Sequence, residues 1–136
     1  MTIHRVKENK DFGLIIFHLL TPTSPSNPRV VVSGDFVFIS GQIALDPKTS
    51  KIVEGGIEAQ TVRVLENIKS ILESVELKLS DIMKTSVFLS DISDFQAFNR
   101  VYSRYFESEP PARTTVQANL MAGVLVEIDT IAQSKT

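Results

Sequence analysis

Cysteine and tryptophan are absent from this sequence of 136 residues, and histidine occurs only twice, as His4 and His18. A chain without cysteine forms no disulfide, presents no thiolate nucleophile and binds no metal through cysteine. Two histidines leave little material for a zinc site or for a relay between serine and histidine. Because nothing in the composition requires an oxidising compartment, we expect the protein to be cytoplasmic.

An excess of positive charge is also missing. Lysine and arginine total 14, aspartate and glutamate total 16, and the formal net charge is −2. Proteins dedicated to nucleic acids depend on cations that neutralise phosphates, so this balance argues against a nucleic-acid partner. Hydrophobic residues make up 43% and charged residues 22%, which is typical of a globular protein. We therefore expect a single domain over residues 1–136.

The apolar segment Phe12–Leu20 is too short to cross a membrane, which takes about 20 apolar residues. Acidic Glu8 and Asp11 precede it and no small-residue cleavage site follows it, which argues against a signal peptide. We predict a buried strand here, followed by a proline-rich loop at Thr21–Pro28. Residues 1–29 are thus expected to form an N-terminal strand and a loop, without membrane contact.

The remaining pattern predicts an α+β protein. Two β-rich runs surround the turn Gly34-Asp35, a helical period extends from Ile57 to about Leu79, and Pro110-Pro111 ends a second helix that Ser93 or Asp94 caps. On the first helix, the apolar positions expected to face inward are Val62, Leu65, Ile68, Leu72 and Val75. The strands are predicted at Val30–Ser33, Phe36–Ser40, Ile82–Leu89, Arg113–Leu120 and Val124–Ala132. The order β-ββ-α-β-α-ββ then gives a single mixed β-sheet with two helices packed on one face.

The other face of this sheet has no helix to cover it. Alternation of side chains along the last strand places on it a mixture of apolar and charged residues: Leu125, Glu127, Asp129 and Ile131. Phe36 and Phe38 alternate with Val37 and Ile39, so both sides of that strand are apolar. A large face that is partly apolar usually marks association, so we predict a homo-oligomer whose sheets face each other. The alternative is that these apolar residues are scattered singly, as on many surfaces.

Common catalytic motifs are missing, including the phosphate-binding loop, the nucleophile elbow and the dinucleotide glycine pattern. The remaining candidate pair is Arg113 and Glu127, which the predicted order places on adjacent strands and on the same face. A guanidinium fork suits a carboxylate, and a nearby carboxylate can hold and deprotonate a water. An ordinary salt bridge between strands explains the same pair, and spacing alone favours that alternative.

Several segments of the chain, in order, resemble the RidA family, also called the YjgF family. The resemblance extends over roughly residues 30 to 132 and also includes Phe95, Asn99 and Tyr102. Its main motifs are Ser40-Gly41-Gln42-Ile43, Leu45-Asp46-Pro47, Lys84-Thr85-Ser86-Val87-Phe88-Leu89-Ser90-Asp91, Pro111-Ala112-Arg113-Thr114-Thr115-Val116 and Val126-Glu127-Ile128-Asp129.

The resemblance implies a chorismate-mutase-like fold, a homotrimer with sites between subunits, and hydrolysis of 2-imino acids to 2-oxo acids and ammonia, as in 2-iminobutanoate/2-iminopropanoate deaminases. Arg113 matches the family arginine that binds the substrate carboxylate, and Glu127 matches the family glutamate that positions water. Ser40, Asn99 and Thr115 match positions that line the cleft. Because a protonated imine is already electrophilic, the resemblance implies no metal and no organic cofactor.

Three segments depart from the family pattern. Asn27 stands where a family tyrosine is expected, the loop Asn119–Gly123 is one residue shorter than usual and lacks the usual proline, and the N-terminal residues diverge from the family's opening. An alternative function is therefore a non-catalytic trimer that binds small carboxylates or a protein partner as a regulator. A third, ribonuclease activity, has been attached to the family, and the net charge of −2 makes it the weakest of the three.

Overall fold

The computed structural model describes the backbone of Ile3–Asn9 and Leu14–Leu19 and both backbone and side chains of residues 30–134. Within these residues the chain forms seven strands and two α-helices. The strands are β1 (Ile3–Asn9), β2 (Leu14–Leu19), β3 (Val30–Ser33), β4 (Phe36–Gln42), β5 (Ile82–Leu89), β6 (Ala112–Gln117) and β7 (Val126–Gln133), and the helices are α1 (Gly56–Ser74) and α2 (Phe95–Tyr105).

All of these strands belong to one mixed sheet, in the order β1-β2-β3-β4-β7-β5-β6. Strands β5 and β6 are parallel, and the other described pairs are antiparallel. The α+β fold class with a single mixed sheet and two helices is confirmed. The hairpin between β3 and β4 is also as predicted, and Gly34 adopts the positive φ of +58° that its tight turn requires.

The predicted order lacked one strand. Residues Ile3–Asn9 form β1, which pairs antiparallel with β2 and lies at one end of the sheet. Its sequence IHRVKEN mixes charged and apolar residues and gives a weak signal, as is common for edge strands, where charge discourages pairing with other chains. The predicted strand within Phe12–Leu20 is confirmed as β2. The predicted loop Thr21–Pro28 lies outside the described residues.

The last two strands are not neighbours, contrary to the expectation. Strand β7 lies between β4 and β5, and β6 lies on the far side of β5, at the other end of the sheet. After β6 the chain therefore crosses β5 before it re-enters the sheet. This crossover decides on which face each candidate residue of β6 and β7 lies.

The hydrophobic core lies between the two helices and one face of the sheet. Fully buried side chains from both helices and from the sheet meet there: Val64, Leu65, Ile68 and Leu72 from α1, Phe98 from α2, and Val87, Leu89, Val126 and Ile128 from the sheet. Close packing of these apolar groups is the main contribution to stability. Helix α1 ends at Ser74, earlier than predicted, where Glu76 adopts a φ of 62°.

No helix in the described part of the chain is both long enough and apolar enough to cross a membrane.

Candidate functional site

Arg113 points to the face of the sheet that the helices cover. On β6 it is the register partner of Thr85, whose hydroxyl is buried and lies 2.8 Å from the hydroxyl of Tyr102 on α2. The guanidinium carbon of Arg113 lies 4.7, 5.4 and 5.8 Å from the ring centroids of Tyr102, Phe95 and Phe98. Helix α2 thus provides three aromatic rings around one guanidinium, at distances typical of cation–π contacts.

Asn99 fixes the orientation of this guanidinium. Its side-chain oxygen accepts a hydrogen bond of 2.8 Å from Nη1 of Arg113. Among residues 30–134, no carboxylate lies within ion-pair distance of Arg113. A half-buried cation without a counter-ion among these residues is a suitable place for an anionic group of a ligand, because the guanidinium keeps its charge in any such environment.

A cavity of about 390 Å³ opens beside Arg113. It lies between α2 and the segment that leads into β6, and it is lined by Asn99, Tyr102, Ser103, Phe106, Pro110 and Pro111 together with Arg113. The arginine is therefore accessible from a space large enough for a small molecule.

Glu127 lies on the opposite face of the sheet from Arg113. It is the register partner of Phe88 on β5, whereas Arg113 is the partner of Thr85 on the same strand. Thr85 and Phe88 are separated by an odd number of positions, so their side chains point to opposite faces. The expectation that Arg113 and Glu127 lie on adjacent strands and share a face is therefore wrong, because β5 lies between β6 and β7.

The Glu127 carboxyl lies in a partly buried position on the face without helices. Burial raises its pKa above the ordinary value for glutamate, and the neighbouring negative charge of Asp129 raises that pKa further. Residues 30–134 provide no hydrogen-bond donor or cation to Glu127 that would stabilise the charged form. A carboxyl with a raised pKa accepts and returns a proton more readily near neutral pH.

Gly41 makes room for the Glu127 side chain. A Cβ atom at position 41 would lie 2.9 Å from Cδ and 3.1 Å from Cγ of Glu127, which is closer than real side chains approach. Gly41 was not among the predicted site residues. The available signal was a glycine next to a strand position, which often marks a close approach of another group to the backbone.

The remaining predicted residues lie either near Arg113 or near Glu127, on opposite faces of the sheet. The hydroxyl of Thr115, on β6, is buried without a hydrogen-bond partner among the described residues, and it shares the helix-covered face with Arg113. Ser40 precedes Gly41 at an irregularity in the pairing of β4 with β7, and its carbonyl accepts a 3.0 Å hydrogen bond from Gln42. One group thus contains Arg113, Asn99 and Thr115, and the other contains Glu127, Gly41 and Ser40.

The aromatic surroundings of Arg113 were not predicted either. Phe98 and Tyr102 are buried in the core, and Phe95 packs against it. Their spacing relative to Asn99 on the same helix was a signal that they share its surroundings. Asn27, where the family tyrosine is expected, lies outside the described residues.

The face that carries Glu127 is rich in apolar side chains. Phe36 and Phe38 on β4 are 43% and 42% exposed, and Val116 on β6 is 42% exposed. Register places Phe88 and Ile131 on the same face. This apolar face is defined here by Phe36, Phe38, Phe88, Val116 and Ile131, and an exposed area of this kind is typical of an association surface.

The described residues contain no group of three or more histidine, cysteine, aspartate or glutamate side chains arranged to hold a metal ion.

The fold and these motifs place the protein in a known class. The model of the Endoribonuclease L-PSP family matches residues 19–134. The chain therefore belongs to this family, which is the YjgF/RidA family.

Similar proteins span archaea and bacteria. The RutC family protein SSO3206 of Saccharolobus solfataricus is 50% identical over 113 residues, which cover 82% of this chain and 89% of that protein. The solved structure of the Escherichia coli YjgF gene product has a TM-score of 0.77 and 35% identity and covers 85% of this chain and 94% of that one. Escherichia coli TdcF, solved with bound serine, has a TM-score of 0.76 and 34% identity and covers 87% and 92% of the two chains.

Proposed function

We propose that this protein is a deaminase that hydrolyses 2-imino acids to 2-oxo acids and ammonia, in sites formed between the subunits of a homotrimer. The observation that carries the proposal is the guanidinium of Arg113, which lies among three aromatic rings, is oriented by Asn99 and has no carboxylate partner among residues 30–134.

Arg113 binds the carboxylate of the substrate. A guanidinium fork can form two parallel hydrogen bonds to a carboxylate, and the low polarity of the surrounding rings strengthens these bonds. Binding at this point fixes the neighbouring carbon C2, which carries the imine, and holds it in one place for attack. The relative TdcF was solved with bound serine, an amino acid that carries such a carboxylate.

A second copy of the chain is needed to complete this site. Arg113 and Glu127 of one chain lie on opposite faces of the same sheet, so one protomer does not bring both to one substrate. The apolar face around Glu127 is suited to contact with another subunit, since burying it removes apolar area from water. In a closed ring, the repeated contact brings Glu127 of the partner subunit to the Arg113 of its neighbour.

The reaction then needs a water, a base and a protonated imine. Glu127 of the partner subunit takes a proton from the water while the water oxygen bonds to C2 and the C=N π electrons move to nitrogen. The product of this step is a 2-amino-2-hydroxy acid. Glu127 returns the proton to nitrogen, and its carboxylate then accepts the hydroxyl proton as the C=O bond forms and the C–N bond breaks to release ammonia. The released ammonia takes this proton from Glu127 and leaves as ammonium, which restores the carboxylate. The raised pKa of Glu127 suits these proton transfers.

Ser40 and Thr115 supply polar contacts at the edges of the site, and Asn99 contributes through Arg113. The hydroxyl of Thr115 has no partner among the described residues and lies on the same face as Arg113.

A coupled assay tests the proposal. A threonine dehydratase generates 2-iminobutanoate, and its loss is followed with and without this protein. We expect faster loss with the native protein, no acceleration with Arg113→Ala, and native rates with Arg100→Ala, which removes an exposed arginine paired with Glu58 on the helix surface. The molecular mass of each variant in solution shows whether the trimer persists.

Two other outcomes would identify a different function. If the native protein leaves the imine unaffected but binds 2-oxobutanoate at Arg113, it is a carboxylate-binding regulator. If it leaves the imine unaffected and cleaves RNA, with binding to RNA that collapses in modest salt, the family name describes its activity, against the indication of the net charge of −2. Either result would overturn the deaminase proposal.

A further inference from the structure

Gln60 is a buried amide on the second turn of α1, and both of its polar groups bind the backbone just before β7. The side chain is 4% exposed. Its Oε1 accepts a 2.9 Å hydrogen bond from the backbone N–H of Leu125, and its Nε2 donates a 2.9 Å hydrogen bond to the backbone carbonyl of Gly123. Because one partner is a donor and the other an acceptor, they determine the orientation of the amide. One side chain thus holds both ends of the segment 123–125.

The sheet pairs regularly with the start of β7 on one edge only. Toward β5, the N–H of Ser90 donates a 3.1 Å hydrogen bond to the carbonyl of Leu125, and Glu127 follows in register. Toward β4, the register is irregular, and none of the described β4 residues is the register partner of Glu127. The amide of Gln60 therefore holds the start of β7 from α1, where the pairing with β4 gives it little support.

The carboxyl of Glu127 depends on this backbone for its position. Glu127 follows Leu125 by two residues along an extended chain, so a shift of the chain at Leu125 is carried directly to Glu127. Residues 30–134 provide no hydrogen-bond donor or cation that would hold the carboxyl itself. The space around it is also narrow, since a Cβ atom on Gly41 would lie 2.9 Å from Cδ of Glu127. A small displacement of the strand therefore moves the carboxyl.

Resting on the proposed function, we propose that Gln60 is a positioning residue for the deaminase reaction. Its two hydrogen bonds fix the start of β7, and the start of β7 determines the place from which the carboxylate of Glu127 acts on the water. Neither hydrogen bond of Gln60 involves β6, the strand that carries Arg113. Turnover should therefore depend on Gln60 much more than binding of the substrate carboxylate does.

Gln60→Met tests this role. Methionine keeps the length of the side chain but has no N–H donor, and its sulfur is only a weak acceptor. Val124 and Val126 are 3% and 0% exposed and keep the segment against the core, so we expect a displaced segment in a folded protein. Thr61→Val is the matched control. It removes a buried hydroxyl from the neighbouring position of α1, where Thr61 donates a hydrogen bond to the carbonyl of Ile57 within the same helix.

We expect kcat of Gln60→Met to fall about ten- to hundredfold, because a displacement of about 1 Å in a catalytic group can cost about 10²-fold. KM and the calorimetric affinity for 2-oxobutanoate should change less than about twofold, since both depend on Arg113. Thr61→Val should keep the native kcat. The proposal is overturned by a native kcat in Gln60→Met, by equal falls in kcat in the two variants, by a matching loss of 2-oxobutanoate binding, or by a change in assembled mass.

A double variant distinguishes positioning from a general loss of structure. If Gln60 acts through Glu127, then Gln60→Met added to Glu127→Gln should lower kcat no further, because the base is already missing. A merely structural loss would lower kcat by the same factor with and without Glu127, and that result would also overturn the proposal.

Two further measurements do not depend on turnover. Hydrogen exchange of the Leu125 amide should be faster in Gln60→Met, since its acceptor is removed, and a crystal structure of the variant should show the Glu127 carboxyl displaced. If the native protein shows no deamination, the proposed function fails, and a displaced carboxyl still assigns the positioning of Glu127 to Gln60. If the native protein deaminates and the carboxyl of the variant has not moved, the positioning proposal fails and the proposed function stands.

Discussion

The side-chain oxygen of Asn99 accepts a hydrogen bond of 2.8 Å from Nη1 of Arg113, and this bond joins helix α2 to the edge strand β6. The guanidinium is held by this bond and by three rings from the same helix. Its direction is therefore determined before any ligand binds. Preorganisation of this kind lowers the entropic cost of orienting a substrate.

Removal of the Asn99 side chain should leave the positive charge of Arg113 in place, but its guanidinium should no longer be held in one orientation. A hydrogen bond to a charged group contributes about 1.5–3 kcal/mol, so we expect kcat/KM of Asn99→Ala to fall about ten- to hundredfold. Asn99→Asp should fall further, because the new carboxylate pairs with Arg113 and competes with the substrate carboxylate. Steady-state kinetics and calorimetry with 2-oxobutanoate measure both effects. Native KM and kcat in Asn99→Ala would show that the rings alone orient the guanidinium.

The pH dependence of the reaction should report the ionisation of Glu127. Its pKa is raised by burial and then by the charge of Asp129, and the proposed base must be deprotonated to act. Activity is thus lost as the pH falls through this raised pKa, and the acid limb of kcat/KM should lie above the ordinary glutamate value of about 4.3. Asp129→Asn removes the negative charge that raises the pKa of Glu127. The acid limb of kcat/KM should therefore move to lower pH in this variant, while burial of Glu127 keeps it above the ordinary glutamate value.

Glu127→Gln separates this base from other groups that titrate. Loss of a general base lowers the rate about 10²- to 10⁴-fold, whereas carboxylate binding at Arg113 should be retained. The acid limb of kcat/KM would belong to another group if it did not move in Asp129→Asn. The same conclusion would follow if Glu127→Gln kept the native kcat.

Gly41→Ala should reduce activity through Glu127. The added Cβ would lie 2.9 Å from Cδ of Glu127, so the carboxylate has to move away from β4. A displacement of about 1 Å in a catalytic group can cost about 10²-fold, and we expect a lower kcat with little change in KM. Thermal unfolding and solution mass serve as controls. A fall in kcat that appears only together with loss of the assembly would place the effect of Gly41 in the interface.

The hydrogen bond between Thr85 and Tyr102, two residues that contact or neighbour Arg113, should contribute to the free energy of unfolding. Both residues are less than 5% exposed, and the two hydroxyl oxygens are 2.8 Å apart. Either Thr85→Val or Tyr102→Phe leaves one buried polar partner unsatisfied, with an expected loss of about 1–3 kcal/mol in the free energy of unfolding. The double variant should lose less than the sum of the two, and denaturant unfolding measures all three. Strict additivity would show that the bond makes no net contribution.

The hairpin of β3 and β4 could be predicted because Gly34 and Asp35 separate two β-rich runs, and local chemistry decides such turns. The inner side of α1 was predicted less well. Val62 was expected to face inward but is 40% exposed, and Val64 takes a buried position instead. The apolar periodicity of α1 is compatible with burial of either Val62 or Val64, because the apolar stripe of a helix is broader than 100° and includes neighbouring positions. Only packing against the sheet decides which of the two side chains is buried.

The candidate site illustrates the same division between local and long-range information. Alternation of side chains along β7 correctly placed Glu127 on the face of the sheet without helices. Alternation did not predict whether Arg113 on β6 and Glu127 on β7 lie on the same face of the sheet, because that depends on β5, which lies between the two strands. Strand order is set by contacts between distant parts of the chain, which a single sequence does not display.

The position of β7 in the middle of the sheet has a consequence for synthesis on the ribosome. Strands β1–β4 on one side and β5 with β6 on the other are joined edge to edge through residues 126–133. A nascent chain that has emerged only as far as residue 125 lacks the strand that pairs with the inner edges of β4 and β5, and unpaired edges invite misplaced pairing with other chains. Folding can finish only after the seventh strand is released, so the chain closes its two halves late, as the final strand is inserted between them.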